Sequence, residues 1–227
     1  MIILVRHGEA EHHIRKLTGG WTDSALTENG CQQLRLLAAC LKNDFAGHHP
    51  PLVVSSDLMR ASKGAQLIAD ALGAEPVQTY TFLREKNNGK AAGLTQEEAQ
   101  KFHHPPVTGR ELDHVNYEGG ETRRDFFTRT ASGFQKLLAE TGEQDLVIVS
   151  HKGTIQNMLF FWLGLSIEDV AKRRISFDIR PGSVTVMGMN RWGEHALFAL
   201  NDTSYLFGRT RFDLFSLPFA RDEKTNF

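Results

Sequence analysis

Three short runs in this chain carry residues suited to holding a phosphoryl group. Arg6-His7-Gly8-Glu9 follows the apolar run Ile2 to Val5. Ser55-Ser56-Asp57 ends a second apolar run that starts at Leu52, and Arg60 lies one helical turn further on. Ser150-His151-Lys152-Gly153 follows Leu146 to Val149. Arginine presents a planar fork of N–H donors that matches phosphate oxygens. A helix that starts just after such a run offers free backbone N–H groups to the same anion. Taken singly, each run reads as an ordinary strand end or helix cap. Three of them in order, each leaving a strand where open α/β sheets bind their ligands, make a pattern.

The elements that must position these residues follow from hydrophobic periodicity. Ile2 to Val5, Leu52 to Ser55 and the Leu-Val-Ile-Val run within Asp145 to Ser150 read as strands buried on both faces. A helix opens after Thr27, a suitable N-cap, with Leu34, Leu37, Ala38 and Leu41 on one face. Asp57 to Leu72 reads as a helix ended by Gly73. Further expectations are a strand over Glu75 to Thr79, a short helix around Thr95 to Lys101, and helices over Glu121 to Ala139 and Gly153 to Leu163. Ser183 to Met189 and His195 to Leu200 read as a closing hairpin around Asn190-Arg191-Trp192-Gly193. Strands that alternate with helices imply an α/β three-layer sandwich: a mostly parallel central sheet with helices on both faces.

The chain has 227 residues with 26 Lys+Arg against 27 Asp+Glu, a formal net charge of −1. Such balance argues against nucleic-acid or membrane coating as the main task. Domains run to roughly 100–200 residues, which favours one large domain. The longest apolar run, Met158 to Leu165, is too short to span a bilayer. Met1 to Val5 is too short for the apolar core of a leader, so a cytoplasmic protein is expected. Cys31 and Cys40 fall on opposite faces of one helix, cannot pair with each other, and suit a reducing compartment. The tail after Tyr205 carries Phe207, Phe212, Phe215, Phe219 and Phe227, and is expected to pack on the chain's own surface.

Residues 1 to about 205 resemble the histidine phosphatase superfamily, also called phosphoglycerate-mutase-like. Arg6-His7-Gly8 looks like its signature triplet, and Asp23-Ser24-Ala25-Leu26-Thr27-Glu28-Asn29-Gly30 is similar to its Asp-x-Pro-Leu-Thr-x-x-Gly segment. Ser55 to Ala61 resembles its second arginine motif, and Leu83-Arg84-Glu85 the segment carrying its acid. Gly119-Gly120-Glu121-Thr122, Val149-Ser150-His151 and Asn201-Asp202-Thr203-Ser204 extend the likeness. The resemblance implies His7 as a nucleophile that forms a phosphohistidine. It implies Arg6 and Arg60 on the nonbridging oxygens, with the Gly8 backbone beside them. His151 is expected to donate to the same oxygens as an imidazolium. Glu85 would be the general acid and then the general base. No metal or other cofactor is required. Residues 84–120 are expected to form a cap that selects the substrate, with 206–227 as a separate tail.

Departures from the family pattern shape the expectations. Ala10 stands where many relatives have Ser or Thr, and His13 where many have an Asn near the pocket; His13 could still hydrogen-bond there. Lys63-Gly64 replaces a common Gln-Thr pair, and Lys152 a common Gly. Lys152, with Lys86 and Lys90, suggests a substrate with more than one negative charge. The adjacent His pairs lack the spacing of metal ligands on one helix face, and Arg123-Arg124 and Arg173-Arg174 read as solvated helix faces. The leading function is a phosphomonoester hydrolase acting on a small phosphorylated metabolite. The alternative within the same chemistry is a phosphoglycerate mutase. Mutases carry a longer basic insertion, whereas only 33 residues separate Glu85 from Gly119 here and several are acidic. A third reading is a non-catalytic binding protein that keeps the fold. A homodimer is left open.

Overall fold

A computed structural model describes residues 1–108, 111–209 and 211–219. Six strands form one sheet in the order β3-β2-β4-β1-β5-β6. They are β1 (Ile2–Arg6), β2 (Leu52–Ser55), β3 (Gln78–Thr79), β4 (Leu146–Ser150), β5 (Val184–Met189) and β6 (His195–Asp202). The neighbours among β1 to β4 pair in parallel, while β5 runs antiparallel to β1 and to β6. The expected α/β architecture with a mostly parallel sheet is therefore present. Near-continuous burial of β1, β2 and β4 explains why they read as apolar runs without alternation.

Helices cover both faces. They are α1 (Glu11–Ile14), α2 (Glu28–Asp44), α3 (Met59–Leu72), α4 (Gln96–Ala99), α5 (Arg123–Thr141), α6 (Lys152–Trp162) and α7 (Ile167–Arg173). Because side chains alternate along a strand, Ile3 and Val5 join one core with Leu34, Leu37 and Ile68 of α2 and α3. Ile2 and Leu4 join the other, with Phe134, Met158 and Leu159 of α5 and α6.

Several boundaries differ from the periodicity for identifiable reasons. Helix α3 starts two residues later than expected because its first N–H, on Met59, is capped from outside by Asp23 Oδ1 at 2.8 Å. Helix α5 starts at Arg123, where Thr122 Oγ1 accepts from Asp125 N at 3.0 Å. The strand over 75–79 shrinks to Gln78–Thr79 at the sheet edge. Helices α1 and α7, four and seven residues long, are too short for a periodic face and were not expected.

The tail packs on this chain as far as it is described. Phe212 and Leu214 are buried beside α2, and the buried Asp44 carboxylate accepts from Phe212 N at 2.8 Å and Asp213 N at 3.0 Å. Phe207 is exposed, and Phe227 lies outside the described residues. Cys31 and Cys40 are free thiols. Among the described residues no helix is long and apolar enough to cross a membrane.

Candidate active site

Sheet order brings the three chemical runs together. Strands β2, β4 and β1 are neighbours, with Arg6 in register with Ser150 and Ser55 with Val149. Arg6-His7, the Ser56 to Arg60 turn and His151 therefore leave adjacent parallel strand ends. His7 and His151 are buried with ring centroids 5.1 Å apart.

Two glycines set the floor. A Cβ on Gly8 would lie 2.4 Å from the Gly30 carbonyl oxygen, and one on Gly30 would lie 2.0 Å from that of Glu9. The end of β1 and the first turn of α2 are in backbone contact there. This accounts for glycine both in Arg-His-Gly and in the Thr-x-x-Gly segment.

His7 is held in one tautomer. Its Nδ1 lies 2.8 Å from the Gly8 carbonyl, which can only accept, so Nδ1 carries the proton and Nε2 presents its lone pair. Burial, with the charges of His151, Arg60 and Arg6, pushes His7 well below the ordinary imidazole range, against the Gly8 hydrogen bond. The imidazole is neutral, which is the form a nucleophile needs.

Arg60, also buried, is anchored at three points. Nε donates to His7 Nε2 at 3.2 Å, Nη1 to the Thr22 carbonyl at 2.5 Å and Nη2 to the Gly20 carbonyl at 2.7 Å. Arg6 donates from Nη1 to the Ile179 carbonyl at 2.6 Å, and its Nη2 lies 3.3 Å from His13 Nε2. The Arg6 Nε and both ring nitrogens of His151 are buried without a hydrogen-bond partner in the protein. An unpaired buried polar group costs about 1–3 kcal/mol. An oxyanion among these groups would accept from Arg6 Nε and from the one N–H that a neutral His151 carries.

The expected imidazolium at His151 is not the resting state. Burial first, then the charges of Arg60 and Arg6, hold it well below the ordinary range and leave it neutral. A neutral imidazole still carries one N–H to donate.

Glu85 is fixed at both oxygens. Oε2 accepts from Gly153 N at 2.9 Å, at the first turn of α6, and Oε1 from Lys86 N at 2.9 Å. A Cβ on Gly153 would come within 2.4 Å of Glu85 Oε1. Only glycine there lets the carboxylate sit on the helix end. The Glu85 carbonyl accepts from Trp21 Nε1 at 2.7 Å.

His13 does reach the cluster: its ring stacks on His7 at 5.5 Å, beside Arg6. Burial and the charges of Arg6 and Arg60 push His13 down to about 4. Lys152 pairs its ammonium with Asp178 at 2.8 Å on the exposed rim, and Asp178 is near enough to Arg6 to raise its pKa against the lowering by burial. Lys90 pairs with Glu118 at 2.5 Å. Arg124, expected to be solvated, ties Asp113 at 2.6 Å and also Glu168. His12 was missed. It is buried with Nδ1 2.6 Å from Ser24 Oγ, and burial, together with His13, Arg60 and Arg6, pushes it down to about 3. Also missed was the fork from Arg84 Nε and Nη2 to Asp57 at 2.8 and 2.5 Å, which ties the acid-bearing segment to the start of α3. Among the described residues no group of three or more His, Cys, Asp or Glu is placed to hold a metal ion.

The sequence family described as the histidine phosphatase superfamily (branch 1) matches residues 2–203. The chain belongs to that superfamily. Within it, the chain is 31% identical to a 2,3-bisphosphoglycerate-dependent phosphoglycerate mutase of Xanthobacter autotrophicus over 182 residues, 78% of this chain and 87% of the relative. It is 32% identical to a broad-specificity phosphatase of Saccharomyces cerevisiae over 167 residues, 71% of this chain and 69% of the relative. A mycobacterial glucosyl-3-phosphoglycerate phosphatase solved with VO3 aligns at TM-score 0.70 and 26% identity, covering 88% of this chain and 98% of that one. This histidine phosphatase is thus similar both to a mutase and to phosphatases.

Proposed function

We propose that this histidine phosphatase is a phosphomonoester hydrolase that works through a phosphohistidine on His7 and acts on a small phosphorylated metabolite. The observation that carries the reading is the neutral His7 with its Nε2 lone pair among Arg6, Arg60 and the unpartnered His151 nitrogens, with Glu85 held on Gly153.

In the first step His7 Nε2 attacks phosphorus, and the bond from phosphorus to the ester oxygen breaks. Protonated Glu85 gives its proton to that oxygen, and the alcohol leaves. Arg60 Nε passes from the lone pair of His7 to a phosphoryl oxygen, while Arg6, His151 and the Gly8 backbone meet the other oxygens. In the second step the Glu85 carboxylate takes a proton from water. The water oxygen bonds to phosphorus, the phosphorus–nitrogen bond breaks, and inorganic phosphate leaves. Catalysis is then positioning plus electrostatic stabilisation of the transferring group.

Residues 1–205 act as the catalytic unit in this reading, and residues 84–120 cap it and select the leaving group. His13 fixes Arg6 and the His7 ring. Two free cysteines and a fold without disulfides suit a reducing cytoplasm.

A mutase reading is favoured by the relative from Xanthobacter. It is opposed by charge: the segment between Glu85 and Gly119 carries four Lys or Arg against five Asp or Glu and so has no basic excess. Parallel assays of phosphate release and of 3-phosphoglycerate to 2-phosphoglycerate conversion separate the two. Hydrolysis above mutase flux is expected, and the reverse order would replace the hydrolase with a mutase.

A further inference from the structure

Two cations beside Glu85 have no carboxylate of their own. Lys86 follows the acid directly, and its backbone is fixed on both sides. Its N–H donates to Glu85 Oε1 at 2.9 Å. Its carbonyl oxygen lies so close to Gly20 that a Cβ there would come within 2.6 Å. Gly20 in turn holds Arg60 Nη2. The Lys86 side chain therefore leaves from the wall that carries both the acid and the phosphate-gripping arginine.

Arg123 is the first residue of α5 and lies three residues before Phe126, so the two share a helix face. The Phe126 ring edge and Glu85 Oε1 both press on Gly153, at 2.9 and 2.4 Å from where its Cβ would stand. The face of α5 that meets the acid thus presents Arg123 as well.

Lys86 and Arg123 are half-buried, and the Lys86 ammonium feels the attraction of Glu121 first and then the repulsion of Arg123. Burial pushes the Lys86 ammonium below its ordinary range against the pull of Glu121, and Arg123 adds to the push. Burial alone lowers Arg123. Arg123 also sits at the positive end of the α5 dipole, where a cation is disfavoured.

The carboxylates nearest Lys86 are already engaged. Glu85 accepts from two backbone N–H groups, and Glu121 accepts from Arg129 Nη2 at 2.6 Å and Asn87 N at 2.8 Å. The cations around them are matched: Arg84 with Asp57, Lys90 with Glu118, Arg124 with Asp113, Arg129 with Glu121 and Lys152 with Asp178. Among the described residues, Lys86 and Arg123 make no ion pair.

We propose that Lys86 and Arg123 form a second anion-binding position that takes a carboxylate or a second phosphate carried by the substrate's leaving group. The pair stands next to Glu85, which in the hydrolase reading faces the leaving oxygen, and the proposal rests on that reading for its orientation. An anion between the two cations compensates the charge that burial has left short of hydration. A neutral leaving group does not. Lys152, the first choice from sequence alone, gives way because Asp178 already neutralises it.

Binding to the His7→Ala chain tests this without turnover. Calorimetry compares 3-phosphoglycerate with glycerol 3-phosphate, which differ by a carboxylate in place of a hydroxymethyl group. A second arm compares propane-1,3-diol bisphosphate with its monophosphate. At least tenfold tighter binding of the more anionic member is expected in one arm, and that arm identifies the anion. Adding Lys86→Met or Arg123→Met should cut the preference fivefold or more. Equal affinities in both arms, or a preference that survives both substitutions, overturns the proposal. Phosphate release by the unmodified enzyme is measured separately. Its absence would contradict the hydrolase reading and leave the affinity ratio to judge the anion position.

Discussion

Arg60 Nε donates to His7 Nε2 at 3.2 Å, so the side chain expected to grip the phosphate rests on the lone pair expected to attack it. The two roles are compatible only if the incoming phosphoryl group takes over that donor. The Gly20 and Thr22 carbonyls keep the guanidinium in place while it does so. Arg60→Lys keeps a positive charge but loses the three-point geometry. Removing a preorganised donor costs about 10²–10³ in kcat, and a loss of that size is expected for Arg60→Lys. Steady-state kinetics with p-nitrophenyl phosphate checks it, and activity within threefold of the parent would refute the role.

Gly153→Ala places a methyl group within 2.4 Å of Glu85 Oε1 and so evicts the acid from the end of α6. The expected result is a fall in kcat of about 10², the contribution of a positioned acid–base group. An activated ester such as p-nitrophenyl phosphate, whose leaving group needs little protonation, should lose less than an alkyl phosphate. Equal losses on both would point to general disruption of the site.

The lowered imidazoles of His7, His12, His13 and His151 predict an acid-sensitive fold. His12 is pushed down to about 3 and His13 to about 4, and His7 and His151 also lie below their ordinary range. Between the unfolded value near 6.5 and those lowered values, the unfolded chain binds protons that the native chain does not. Stability therefore rises with pH across that window. It is complete above about pH 6.5 and is lost as pH falls, by up to ~1.4 kcal/mol per pH unit for each such histidine. Thermal melts from pH 7.5 to 5 should show a falling Tm, less steep in His12→Gln. A flat profile would show that the histidines are not held neutral.

Asp44 and Phe212 tie the tail to α2. Phe212→Ala is expected to cost about 3 kcal/mol, in keeping with truncation of a buried aromatic ring. Asp44→Ala leaves the Phe212 and Asp213 N–H groups without their acceptor and should cost about 1–3 kcal/mol. Because both variants act on one contact, their effects should not add. Urea unfolding of the single and double variants measures this; full additivity would separate the two contacts.

The sheet was legible because buried parallel strands announce themselves as short apolar runs, and each of the three runs ended in residues that the fold brings together. Register did the rest: Arg6 opposite Ser150 follows from neighbouring strands of matched length. Less legible were contacts whose partners are distant in sequence and carry no period. Asp23 capping α3, the Arg84–Asp57 fork and the Lys152–Asp178 pair are of this kind. The resting protonation of His151 was not legible for a related reason. A histidine beside an expected dianion suggests an imidazolium, but its depth of burial and the two nearby arginines become visible only in three dimensions.

The most direct test is to trap the phosphoryl group on the enzyme. The chain is mixed with a 32P-labelled phosphate ester and quenched within milliseconds in alkaline denaturant, which preserves phosphohistidine. Peptides are then mapped. An acid-labile, alkali-stable label on the peptide containing His7, absent from His7→Ala, is the expected result. Turnover without any such label, or a label that persists in His7→Ala, would contradict a phosphohistidine on His7.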